Sequence, residues 1–207
     1  MTTTPETAAE VAVEQAEQAA ATSRVVDGVT FPAPGTYVLD PTHTRIGFVA
    51  RHLMVTKVRG NFGEFSGSIT VAEDPRDSTA EATLKTVTIE TGTPDRDTHL
   101  RSGDFLEAEK YPEITFRNAR IQSQKGAQFT VGGDLTVKDT TRPVTLDVEI
   151  DGVAKDPWGN EKLAITASTE IDREEFGMTW NVALEAGGVL VSKKVKIEIE
   201  AQAARQA

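Results

Sequence analysis

The chain has 207 residues, a formal net charge of -10 and no cysteine. The length suits one sizeable core with or without a tail, and the absence of cysteine excludes disulfides and thiolate metal sites. The acidic balance disfavours nucleic-acid binding and steady attraction to anionic membrane surfaces, and no apolar run is long enough to span a bilayer.

The first part of the chain, residues 1–34, is acidic and rich in alanine, with Arg24 as its single base. This composition predicts a disordered tail or a short helix, followed by a stiff hinge at Pro32 to Pro34 and a domain over residues 35–202. Removing residues 1–30 should then cost little stability. The N-terminus lacks the basic and apolar regions of a secretory signal, which predicts a cytoplasmic protein.

From Gly35 onward, apolar and polar residues alternate as they do in half-buried strands. The first two predicted strands are Thr36–Asp40 and Arg45–His52, and a change of phase after Leu84 predicts a β-bulge near Lys85 and Thr86. The distinct inner and outer faces and the short connections favour an antiparallel meander over a parallel sheet. About eight such strands, closed on themselves, would enclose space for side chains or for one ligand.

The segment from Gly92 to Phe116 is the strongest helical signal of the predicted domain. Asp97 or Thr98 can cap a first turn over His99–Ser102, which Gly103 would end, and Asp104 can cap a second turn over Phe105–Lys110. Because this segment combines an apolar face with a charged face, we expect it to close one end of the barrel. A further short helical turn is predicted at Arg173–Phe176, ended by Gly177.

Four blocks of sequence carry a resemblance to a known family. They are LDPTHTRIGFVARHLMVTKVRGNF, TGTPDRDTHLRSGDFLEAEKYPEITF, GDLTVKDTTRPVTLDV and DREEFGM. From about Gly35 to Ala201 the chain resembles the YceI-like polyisoprenoid-binding family, with Thr44 where the family usually has serine. The resemblance implies an all-β, lipocalin-like eight-stranded antiparallel barrel with one or two short helices. It also implies binding, storage or transport of a long-chain isoprenoid, polyprenyl or isoprenoid quinone, or a similar amphiphilic lipid.

Two sets of residues are the candidates for holding such a ligand. Apolar residues that share an inward phase are expected to line or plug the lumen: Phe48, Phe62, Phe65, Leu84, Ile89, Ile114, Phe116, Phe129, Leu135, Leu146, Ile165, Phe176 and Trp180. Polar residues near one end are expected to hold the head group of the lipid: His52, Arg96, His99 and Arg101. For Arg96 and Arg101, a purely structural ion-pair role with Asp97 or Asp104 is equally open.

Other functions fit the sequence less well. The three histidines, at positions 43, 52 and 99, show no metal-ligand spacing, so neither a metal site nor a cofactor is predicted. Pairing His99 or His52 with Asp97 or Asp104 would make an acid–base pair, but no catalytic motif accompanies it. An enzyme acting on a small apolar substrate is therefore the alternative, and a third is an interaction protein whose barrel is filled by its own side chains. The sequence leaves both a monomer and a homodimer open.

Overall fold

The structure, a computed structural model, describes residues 23–26, 28–183 and 188–206. Within these ranges it contains a single α-helix, α1, over Pro94–Arg101. The strands are β1 Ser23–Val26, β2 Val29–Pro32, β3 Gly35–Leu39, β4 Arg45–His52, β5 Thr56–Phe62, β6 Phe65–Val71, β7 Thr79–Lys85, β8 Ile89–Glu90, β9 Glu113–Lys125, β10 Gln128–Val137, β11 Thr140–Lys155, β12 Glu161–Asp172 and β13 Val191–Arg205.

The predicted barrel is confirmed: it is antiparallel, closed and eight-stranded. Two pairs of consecutive short strands each form one bent strand position of the wall. Strands β3 and β4 both pair with β13, and on their other side β3 pairs with β6 and β4 pairs with β5. The long pairing of β12 with β13 closes the ring. Closure leaves no unpaired edge along most of the wall and gives every strand of the wall an inner face toward one lumen.

The change of phase after Leu84 has a different cause from the one predicted. The chain forms a 3₁₀ turn over Thr86–Thr88 between β7 and β8, and no bulge is needed there. A buried hydrogen bond holds the turn in place, because the Thr86 hydroxyl donates to the Tyr111 carbonyl at 2.7 Å. Ile89 is therefore buried as the new phase predicts, whereas Val87 is exposed.

The helical segment begins earlier than predicted and contains one helix instead of two helical turns. Helix α1 starts after Thr93 with Pro94 in its first turn, where proline costs nothing because its missing N–H would be unpaired. The predicted second helix over Phe105–Lys110 is instead a set of turns, with Glu107 at a φ of 50°. In contrast, the predicted short turn at Arg173–Phe176 is confirmed, and Gly177 ends it in the left-handed region.

The start of the chain differs from the predicted tail over residues 23–32. There, β1 and β2 form an antiparallel hairpin, and the side chains of Val29 and Phe31 are buried against Phe129. The hairpin is also tied by polar contacts, because Arg24 forms an ion pair with Glu73 at 3.2 Å. The prediction for residues 1–22 lies outside the described residues. Within the described part of the chain, no helix is long and apolar enough to cross a membrane.

Candidate functional site

The barrel encloses an apolar lumen that consists of two lobes stacked along its axis. Lobe 1 has a volume of about 170 Å³ and lobe 2 of about 210 Å³. Both lobes share the same central walls, which are Ile46, Ala82, Phe116, Leu146 and Ile199. An apolar cavity of ~150 Å³ is known to stay dry and to accept a benzene-sized guest. Each lobe therefore suits an apolar group, and the shared walls suit a chain that passes from one lobe into the other.

Most of the predicted lumen residues lie where the sequence placed them. Lobe 2 is lined by Phe48, Phe62, Leu84, Ile89, Ile114 and Leu135, lobe 1 by Phe129 and Ile165, and both by Phe116 and Leu146. Phe65 packs against the core beside lobe 2, and Phe176 is fully buried there without reaching the cavity wall. Trp180 lies outside the lumen, where its ring packs on His99 and Phe105.

Glycines opposite two of the aromatic rings make room for them inside the barrel. A Cβ at Gly133 would stand 2.4 Å from Cζ of Phe116, and a Cβ at Gly60 would stand 2.4 Å from Cζ of Phe48. Real side chains cannot approach so closely, so both rings lie over bare backbone on the neighbouring strand. The alternating pattern assigned these phenylalanines to the inner face, and the glycines decide how their rings lie there.

Each lobe is closed by a segment from outside the barrel wall. Leu100, Phe105 and Leu106 cover lobe 2, as predicted for the segment that contains α1. At the other end, Phe31 and Pro32 of the β1–β2 hairpin cover lobe 1, which the sequence did not indicate. The sequence missed this second closure because Val29 and Phe31 stand beside an acidic, alanine-rich stretch and form too short an apolar run to stand out.

The strand pairing of the barrel wall is incomplete beside lobe 1. Strands β7 and β9 pair only from Ala82 to Lys85, so Thr79 to Glu81 have no strand partner on that side. Several polar residues line lobe 1 at this point: Ser68, Ser78, Thr79 and Glu81. Arg117 bridges the edge of the gap, because its guanidinium lies 3.4 Å from Glu81 and donates to the hydroxyl of Thr83 at 2.9 Å.

The predicted head-group residues are not in the walls of the two lobes. Arg96 donates to the hydroxyls of Thr91 and Thr93 at 2.7 and 3.0 Å, and the buried Asp97 accepts the Thr91 N–H at 2.8 Å. These bonds tie the start of α1 to the end of β8. Arg101 donates to the Ile89 carbonyl at 2.9 Å. Both arginines thus have structural bonds, but their partners are hydroxyls and carbonyls and not the carboxylates of Asp97 or Asp104 that the structural alternative named.

The two predicted histidines lie near the closed end of lobe 2 but outside it. His99 Nε2 is 2.8 Å from Asp104 Oδ2, and its ring packs edge-on against Phe105 and Trp180. His52 has the inward phase of β4, but the last residue of that strand in the wall of lobe 2 is Ala50. The chain turns immediately after His52, with Leu53 and Met54 at φ values of 52° and 60°, and this leaves the imidazole at the rim.

Arg173 is the polar residue at this end that sequence reasoning missed. It lines lobe 2 and is only 3% exposed. Its Nε donates to the Ser192 carbonyl at 3.0 Å, and its Nη1 donates to the Met178 carbonyl. In the sequence, the flanking Asp172 and Glu174 make Arg173 look like part of an ordinary surface ion pair. The structure shows instead that the guanidinium turns inward, so no local signal could have found it.

The charge of Arg173 is poorly compensated within the described part of the chain. Asp172 accepts the Glu174 N–H at 3.0 Å, and Glu174 pairs with Lys193 at 2.7 Å, so neither carboxylate bonds to the guanidinium. Burial lowers the pKa of Arg173 below its ordinary value, against the opposite effect of Glu174 and Asp172. The Phe105 ring adds one favourable contact, with its centroid 5.9 Å from Cζ.

The remaining chemistry of the described residues offers no metal centre. No three His, Asp or Glu side chains among them lie close enough together to hold a metal ion. Both lobes are walled almost entirely by aliphatic and aromatic side chains, with charged groups only at Glu81 and Arg173. The site is therefore an apolar lumen inside the barrel, with one buried cation, Arg173, in its described lining at the covered end of lobe 2.

These features define a class of protein: a closed antiparallel barrel with an apolar lumen. Residues 37–203 match the YceI-like domain model, and the chain belongs to the YceI-like family. It is 39% identical over 170 residues to a UPF0312 protein of Staphylococcus aureus (strain bovine RF122 / ET3-1), a match that covers 80% of this chain and 95% of the relative.

Solved structures of other proteins share the fold. The Campylobacter jejuni YCEI protein aligns with a TM-score of 0.66 and 28% identity, over 76% of this chain and 90% of that one. A polyisoprenoid-binding domain from Saccharophagus degradans, described as implicated in plant cell wall breakdown, aligns with a TM-score of 0.60. Its identity is 14%, over 82% of this chain and 98% of the domain, so it supports the fold alone.

Proposed function

We propose that this protein binds a long-chain isoprenoid, or a similar amphiphilic lipid, inside its barrel and stores or carries it without changing it chemically. The observation that carries the proposal is the pair of apolar lobes with shared walls. A lumen of this kind is also a strong argument against a barrel filled by its own side chains. A neighbour that shares only the fold is described as a polyisoprenoid-binding domain, and ligands of this class are the ones that we propose here.

The energetics require a chain of some length. Each methylene group moved from water into an apolar cavity contributes ~0.8 kcal/mol, so ten of them contribute roughly 8 kcal/mol. Association costs about 4 to 15 kcal/mol. A small apolar molecule in one lobe would therefore bind weakly, and useful affinity needs either a longer chain that occupies both lobes or a well-fixed head group.

The position of the acid–base candidates favours carriage over catalysis. His99 and Asp104 do form a pair at 2.8 Å, but it lies outside both lobes, and Phe105 stands between its ring and lobe 2. A substrate held in the lumen would not reach this pair. Non-catalytic binding is therefore our proposal, the cytoplasmic location stays a prediction from the sequence, and both a monomer and a homodimer stay open.

A substitution that fills the space between the two lobes tests this proposal. Leu146→Trp places a large ring in the walls that both lobes share, and we expect it to weaken binding of farnesol, a C15 prenyl alcohol, by at least roughly tenfold, since half of the chain loses its space. Thr145→Trp is the matched control, because Thr145 is the neighbouring residue on the exposed face of β11. Binding is measured by titration of the delipidated protein.

Native mass spectrometry supplies an independent measurement. Protein purified without added lipid should carry a bound amphiphile that organic extraction releases and identifies. Unchanged farnesol affinity in the Leu146→Trp variant would refute binding in the lumen. Chemical conversion of a bound prenyl compound, lost on His99→Ala, would favour the enzyme instead.

A further inference from the structure

The buried guanidinium of Arg173 indicates what kind of head group the lumen accepts. A buried cation without a bonded carboxylate is costly unless something else supplies hydrogen bonds and opposite charge. Arg173 Nη2 is buried and has no hydrogen-bond partner among the described residues. The same side chain lines lobe 2, at the end that Phe105 and Leu106 cover.

The two bonds that Arg173 does make hold it in place for such a role. Its Nε and Nη1 donate to the carbonyls of Ser192 and Met178, which lie on separate stretches of backbone. These contacts fix the plane of the guanidinium and leave Nη2, with two N–H groups, as the free end. A side chain fixed in this way loses little further entropy when it binds an oxygen.

We propose that Arg173 is a head-group anchor, and that the preferred ligands are single-chain amphiphiles with an acidic oxygen head, a phosphate or a carboxylate. The inference rests on the proposed function, since it needs the tail to occupy the lobes. Nη2 donates to the head, and the chain extends from lobe 2 past Phe116 and Leu146 into lobe 1. An acidic head supplies both the hydrogen-bond acceptor and the negative charge that the site lacks.

The chemistry separates this anchor from the residues that the sequence indicated. The guanidinium of Arg96 already donates to the hydroxyls of Thr91 and Thr93, and His99 is paired with Asp104. Both lie at least partly open to water, where a charged pair contributes little. Arg173 is desolvated, and charge-assisted bonds in a water-excluded site are the strong ones.

The experiment compares ligands that share one tail and differ in the head: farnesyl phosphate, farnesoic acid, farnesol and the hydrocarbon farnesene. We expect the wild-type protein to bind the phosphate and the carboxylate roughly tenfold to hundredfold more tightly than the alcohol, the range typical of hydrogen bonds to charged groups. The two acidic ligands distinguish a phosphate head from a carboxylate head. Equal affinity for all four ligands would overturn the proposal without any mutation.

Variants then assign the preference to a residue. Arg173→Gln should remove most of the preference for the acidic heads while farnesene still binds, and Arg173→Lys should retain part of it. Arg96→Gln is the matched comparison and should leave the preference unchanged. If Arg96→Gln removes the preference and Arg173→Gln does not, the anchor is at the start of α1 and this inference is wrong.

The same ligand series separates this inference from the proposed function. Failure of every ligand to bind the delipidated protein would reject the lumen as a binding site altogether. Binding of farnesene and farnesol, with no advantage for the acids, would leave the carrier intact and reject only the anchor. Should Arg173→Gln fail to fold, the wild-type series and Arg173→Lys still decide the question.

Discussion

At the scale of single residues, several polar contacts of the described residues tie elements of the fold together, whereas Arg173 faces the lumen. Asp40 is an example of such a contact: it follows β3 directly, accepts from Thr42 N–H at 3.0 Å, and lies 3.0 Å from His43 and 3.4 Å from Lys162. These contacts connect the start of the wall to β12. The hydrogen bond from His43, with those from Thr42 and Lys162, lowers the pKa of Asp40 to about 2.

The depressed pKa predicts how Asp40 acts on stability as the pH changes. The carboxylate is favoured in the folded state, so its contribution is present above the unfolded pKa of about 3.9 and is lost as the pH falls toward about 2. Asp40→Asn should therefore lower the free energy of unfolding by about 1 kcal/mol at pH 7. The difference from wild type should vanish between about pH 4 and pH 2.

Urea unfolding of wild type and Asp40→Asn across this pH range checks the prediction. Asp147→Asn is the control, because Asp147 is an exposed carboxylate on the outer face of β11. A difference between wild type and Asp40→Asn that stays constant down to pH 2 would show that the side chain acts through packing and not through its charge.

At the scale of elements, two short segments outside the barrel wall cover the ends of the lumen, which the strands of the wall leave open. The turns after α1 cover lobe 2, and the β1–β2 hairpin covers lobe 1 with Phe31, which is 4% exposed and packs edge-on against Phe129 at 5.5 Å. The hairpin is further held at its base, where Arg205 donates to the Pro34 carbonyl at 2.7 Å and Tyr37 to the Ala33 carbonyl at 2.9 Å. It is therefore part of the domain.

This packing predicts a stability cost where the composition of the chain predicted none. Phe31→Ala should destabilise the protein by roughly 3 kcal/mol, because it removes a buried ring and enlarges lobe 1. Val25→Ala, in the same hairpin at a side chain that is 71% exposed, should change stability by less than about 0.5 kcal/mol. Equilibrium unfolding in urea measures both. A chain that begins at Pro34 and unfolds at the wild-type midpoint would show that the hairpin contributes nothing.

At the scale of the whole molecule, the pattern of the sequence determines the wall better than it determines the ends. Alternation placed Phe48, Leu135 and Leu146 correctly, because period two is a property of any strand with one buried face. It could not place the hairpin or Arg173, whose roles depend on contacts between distant parts of the chain. It also placed His52 on the inner face of β4 and predicted that it contacts the ligand. The cavity ends at Ala50, however, and the phase of a strand does not show how far along the strand a cavity extends.

The two covers and the lumen between them predict a property of the complete protein. A chain that fills both lobes contacts the walls and both covers at once, so it binds the folded state and not the unfolded one. At a free concentration 100 times its dissociation constant, a ligand adds about 2.7 kcal/mol to the stability of the folded state. For a domain of this size that corresponds to a rise in melting temperature of roughly 5 to 11 °C.

Thermal unfolding of delipidated protein with increasing farnesol tests this coupling. The melting temperature should rise with the logarithm of the free ligand concentration, because the stabilisation follows mass action. The Thr145→Trp control should show the same rise, whereas Leu146→Trp, with its lobes divided, should show little. An equal rise in both variants would place the stabilising lipid on the outer surface, and the covers would then enclose a lumen that farnesol does not enter.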